Sequence, residues 1–78
     1  MSHLVFAYNL PEGIDVEVYR TSTPGTYLID LFRSSRRYDS FVWHEAEDFE
    51  MNSSFKNYPA RIASVKRLAA LLQDQRGR

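Results

Sequence analysis

The sequence predicts an α+β fold: a four-stranded antiparallel sheet, arranged as a meander, packed on one C-terminal helix in two layers. Three observations lead there. Ile14, Val16 and Val18 alternate with Asp15, Glu17 and Tyr19, the period-2 pattern of a half-buried strand. Thr26 to Arg33 and Ser40 to Glu45 are rich in β-branched and aromatic residues, and short connections make neighbouring antiparallel strands the natural reading. From Pro59 onward, Ile62, Val65, Leu68, Ala69 and Leu72 recur at three and four residues, giving one apolar stripe on a helix.

Each element has local support. His3 to Asn9 reads as the first strand, although periodicity does not choose its face: Leu4, Phe6 and Tyr8 form one side, Val5 and Ala7 the other. Leu10-Pro11-Glu12-Gly13 ends it, since Pro lacks a donor and Gly permits a tight turn. Thr23-Pro24-Gly25 turns the chain into the third strand, and residues 34–39 lead to the fourth. Residues 46–57 read as one or two helical turns or an irregular crossing, with Phe49, Met51 and Phe55 tucked under the sheet edge. Pro59 suits the first helical position, where its missing N–H costs nothing. Arg61, Ser64, Lys66, Arg67 and Gln73 fall mainly opposite the apolar stripe, and Gly77 ends the helix.

A chain of 78 residues predicts a single domain, residues 1–78, with a small core: roughly 60% of the unfolded surface becomes buried at this size. No cysteine is present, so neither a disulfide nor a thiolate-bound metal holds the fold together. The first residues lack the basic start and long apolar run of a secretion signal, and no aliphatic run nears the ~20 residues of a membrane span. These features together predict a cytoplasmic protein. Ten basic and ten acidic residues cancel, which argues against both a general nucleic-acid binder and an acidic DNA mimic. The charges are nevertheless segregated: Arg33, Arg36 and Arg37 fall close together, Glu45, Glu47, Asp48 and Glu50 follow, and Lys56, Arg61, Lys66 and Arg67 come next.

Little in the chain suggests catalysis. His44-Glu45 begins like a zinc-protease motif, but Asp48 stands where the second histidine belongs. Glu45 and Glu47 read as a solvated acidic edge rather than an acid–base pair. No Gly-rich phosphate loop and no nucleophile elbow occurs. The expectation is a protein that is not an enzyme, uses no cofactor or metal, and takes no small-molecule substrate.

A binding surface is the stronger reading. Tyr27, Ile29 and Leu31 make the better core set of the third strand, which leaves Leu28, Asp30 and Phe32 on the other side. An open face holding Tyr19, Asp30 and Phe32, joined by Tyr8 if the first strand buries Val5 and Ala7, is aromatic and acidic together. Arg33, Arg36 and Arg37 have two readings, a solvated hairpin tip or a clamp for phosphate or carboxylate, with Tyr38 beside them able to stack. The second would make the chain a small nucleic-acid-binding module.

The layout of four strands, an irregular segment and a C-terminal helix, with Tyr8, Tyr19 closing IDVEVY and Asp30 in TYLIDLF, resembles a known family. It is similar to the small phage anti-CRISPR proteins that bind the Cas7 backbone of a type I surveillance complex. The likeness is to the type I-F inhibitor with a four-stranded sheet. The resemblance implies an inhibitor inside the host bacterial cell whose two tyrosines and one acid engage a basic Cas7 surface and block target DNA. It implies a protein partner, no membrane and no direct nucleic-acid contact. The arginine-rich stretch, the acidic 45–50 segment and the Trp43-His44 pair depart from that family's layout.

Overall fold

The computed structural model describes residues 3–46 and 58–77. The architecture is α+β: a four-stranded antiparallel sheet and one C-terminal helix. The strands are β1 (His3–Leu10), β2 (Ile14–Arg20), β3 (Thr26–Arg33) and β4 (Arg36–His44), in spatial order β1-β2-β3-β4. The helix, α1, is Pro59–Arg76. The chain forms two compact units, Met1–Ala46 with the sheet and Glu47–Arg78 with the helix. The expected placement of Phe49, Met51 and Phe55 lies outside the described residues.

Each hairpin has its own turn chemistry. Pro11–Gly13 forms a single 3-10 turn, with Glu12 at φ 71° and Gly13 at φ 76°. Between β2 and β3, Thr26 N–H donates to Thr23 C=O at 3.1 Å, with Gly25 at φ 76°. Pro at the second place and a positive-φ Gly at the third are the requirements of a type II turn. Between β3 and β4 only Ser34 and Ser35 intervene, at φ 53° and 65°. Positive φ at both central residues is the type I′ geometry, whose twist matches that of the flanking strands. This corrects the expected fourth strand, Ser40 to Glu45. With the turn confined to two serines, β4 begins at Arg36 and ends at His44.

One sheet face is buried. Ile14, Val16 and Val18 of β2, Tyr27, Ile29 and Leu31 of β3, and Phe41 and Trp43 of β4 are all buried. Val18, Ile29 and Leu31 are fully so. Tyr27 and Trp43 face each other across the β3–β4 pair, with ring centroids 6.1 Å apart. The Trp43 indole N–H is buried with no acceptor among the described residues.

In α1 the buried positions are Ser64, Val65 and Leu68. Val65 and Leu68 belong to the expected stripe. Ser64 does not, and Ile62, Ala69 and Leu72 are only half-buried. The buried stripe is therefore centred between Ser64 and Leu68, turned away from Ile62. A serine is polar on any hydrophobicity scale, so an apolar period alone does not register Ser64 as a buried position. Gly77 caps the helix, its N–H donating to Gln73 C=O at 3.0 Å. Among the described residues no helix is long and apolar enough to cross a membrane.

Candidate functional site

Strand register builds the second sheet face row by row. Residues directly opposite in an antiparallel pair project to the same side. Leu4 pairs with Tyr19, Tyr19 with Leu28, and Leu28 with Val42, which makes one apolar row across all four strands. The next row is Ala7, Glu17, Asp30 and Ser40, and the third is Asn9, Asp15, Phe32 and Arg37. Tyr19, Asp30 and Phe32 thus share a face, as alternation predicts.

Tyr8 does not join them. It pairs with Val16, on the side of the buried set, with Phe6 opposite Val18 and Leu10 opposite Ile14. The cause is a register shift between Leu4 and Phe6. One extra residue, Val5, switches the phase of the strand, as a β-bulge does. Phe6, Tyr8 and Leu10 go to the buried side, while Leu4 reaches the other face beside Tyr19. The expected grouping of Tyr8 with Tyr19 and Asp30 is therefore corrected.

The arginines do not form one cluster either. Arg33 and Arg36 pair with each other on the register of Ile14, whereas Arg37 lies opposite Phe32 on the second face. A second register shift, between Leu31 and Phe32, makes this possible. The Arg33 guanidinium carbon lies 5.6 Å from the Tyr38 ring centroid, and Arg37 Nη1 lies 3.7 Å from Asp30 Oδ2. All three side chains belong to strands rather than to the turn.

Polar contacts order the acidic row. Ser40 Oγ donates to Asp30 Oδ1 at 2.7 Å. With Arg37 on its other oxygen, Asp30 is only 5% exposed. Its position at the sheet centre, between β2 and β4, leaves it little water of its own. The Tyr19 hydroxyl donates to Glu17 Oε1 at 2.6 Å. That hydrogen bond is the first cause raising the Tyr19 phenol above its ordinary value; partial burial and the charges of Glu17 and Asp30 add to it, and Arg37 opposes it. Asn9 Nδ2 donates to Asp15 Oδ1. At the far end of the face Thr26 Oγ1 and His44 Nδ1 are 3.0 Å apart.

The rows carry three carboxylates, Asp15, Glu17 and Asp30, against one guanidinium, Arg37. Leu4 and Val42 are 52% and 53% exposed at the two ends of the apolar row. Sequence reasoning did not find Leu4, Val42 or Ser40. Glu17 was visible in the alternation, but only the register shows it opposite Asp30. Among the described residues no three His, Asp or Glu side chains gather as a metal site requires. No protein-family model matches this chain, and neither a curated protein nor a solved structure matches it.

Proposed function

We propose that this protein is a non-catalytic, stoichiometric inhibitor of the anti-CRISPR kind. It binds the Cas7-like backbone of a type I surveillance complex inside the host bacterium and blocks target DNA. The observation that supports this reading is the accessible sheet face, where an apolar row, exposed at its two ends and half-exposed between them, lies directly beside an acidic one. A row of aliphatic and aromatic side chains supplies contact area, and adjacent carboxylates select a basic partner. Tyr19, Asp30, Phe32 and Arg37 belong to that face; Tyr8, Arg33 and Arg36 do not.

The test is binding to purified type I complexes and protection of those complexes from target DNA. Tyr19→Ala should weaken binding by a factor corresponding to about 2 kcal/mol if Tyr19 lies in the interface core. Wild-type protein that binds no type I complex refutes the assignment. Tight binding of free duplex or single strands at physiological salt would replace it with the nucleic-acid module read from Arg33, Arg36 and Arg37.

A further inference from the structure

The three carboxylates of the accessible face are not equivalent. Asp30 is withdrawn from solvent, and both of its oxygens are engaged, one by Ser40 and one by Arg37. Glu17 is half-exposed and accepts one hydrogen bond, from Tyr19, on one oxygen. A carboxylate accepts several hydrogen bonds, so Glu17 retains capacity for an incoming donor. Tyr19 fixes its direction, and Tyr19 also lies in the apolar row, between Leu4 and Leu28. Asp15, exposed and bonded to Asn9, stands in the next row.

We infer that the partner of this face is a protein surface that presents a lysine or arginine beside an aliphatic or aromatic side chain. Glu17 meets that cation, Asp15 is the secondary acid, and Leu4, Leu28 and Val42 cover the apolar neighbour. Asp30 is a positioning residue: it holds Arg37 and Ser40 and does not touch the partner. This rests on the proposal that the accessible face is the binding surface, but not on the partner being a CRISPR complex. Charge complementarity selects the occupant. Three carboxylates against one guanidinium repel a phosphate backbone and attract a cationic protein surface.

The experiment titrates isotope-labelled protein with an amphipathic leucine–lysine peptide and, as control, its leucine–glutamate counterpart. A parallel arm measures binding to type I complexes. The lysine peptide should shift the backbone resonances of Tyr19, Leu28 and Val42, and the glutamate peptide should not. Glu17→Gln should lower affinity by about fivefold, equivalent to ~1 kcal/mol, and flatten its salt dependence, while thermal melts show the protein still folded at the binding temperature. Asp30→Asn should lower the melting temperature and, because Asp30 adds only to the long-range charge of the face, weaken binding less than Glu17→Gln does. Leu4→Ser with Val42→Ser should weaken binding without unfolding the protein. Absence of binding by the lysine peptide, shifts confined to other surfaces, or Glu17→Gln binding like wild type overturns the inference. So does a loss of affinity in a folded Asp30→Asn that equals or exceeds that of Glu17→Gln. Peptide binding with no binding to any type I complex keeps this inference and refutes the anti-CRISPR assignment.

Discussion

The two faces of this sheet bury their residues for different reasons. On one, Val18, Ile29 and Leu31 lose all contact with water because they are apolar, and the hydrophobic effect is sufficient. On the other, Leu28 and Tyr19 remain half-exposed while the charged Asp30 is nearly buried. Asp30 tolerates this because Ser40 and Arg37 replace the water it gives up. Burial by itself therefore does not identify the core of this sheet: an aspartate can be less exposed than the leucine two residues before it.

The contrast is sharpest between adjacent residues of β3. Ile29→Ala should destabilise the protein by about 2–5 kcal/mol, the range for a fully buried aliphatic side chain. Leu28→Ala, on the half-exposed side, should cost about 1 kcal/mol. Urea denaturation of the two variants measures the difference, and equal losses would mean that both faces are equally buried.

The next effect tests what buries Asp30. The Arg37 side chain is 61% exposed, so its ion pair contributes only about 0–1 kcal/mol. A hydrogen bond to a charged group contributes ~1.5–3 kcal/mol, so Ser40 outweighs Arg37. Asp30→Ala should then cost about 1–3 kcal/mol, and Ser40→Ala more than Arg37→Ala. A larger loss from Arg37→Ala in thermal melts would reverse that ranking.

A smaller effect, of opposite sign, lies where the faces meet the third hairpin. Ser34 and Ser35 both occupy positive φ, which costs an ordinary residue roughly 1–2 kcal/mol. Replacing them by Asn and Gly, the preferred type I′ pair, should raise stability by about 1 kcal/mol, because the flexibility Gly adds to the unfolded chain offsets part of the gain. A lower urea midpoint for the double variant would show that the two-residue turn is not the constraint on β4.

The smallest effect concerns Tyr19. Its phenol is raised above the ordinary value, first by the hydrogen bond to Glu17. A raised folded-state value contributes stability that is fully present below the ordinary phenol pKa of about 10 and is lost as pH rises through the folded value. In an alkaline titration of tyrosinate absorbance, the wild type should show a late-ionising tyrosine that Tyr19→Phe removes. Glu17→Gln should bring that ionisation back toward the ordinary range. An unchanged profile in Glu17→Gln would mean that this hydrogen bond does not control Tyr19.

Much of this was legible in the residues themselves. Alternation in β2 and β3 settled which side each residue takes, because a strand permits only two directions and the apolar ones sort to one of them. Pro24-Gly25 specified a turn by its backbone requirements, and Pro59 with Gly77 bounded the helix for the same reason. The tertiary structure alone decided where that alternation breaks. The extra residue at Val5 moves Tyr8 away from Tyr19 and brings Leu4 in, and the shift near Phe32 separates Arg37 from Arg33 and Arg36. A bulge is set by how two strands match along their length, between segments distant in sequence, and neither strand carries a local signal of it. Ser34-Ser35 likewise lacks the Asn or Gly that marks a type I′ turn; its positive φ angles are imposed by the pairing of Arg33 with Arg36. The burial of Asp30 has the same origin, because Ser40 and Arg37 become its neighbours only once β4 has found its register beside β3.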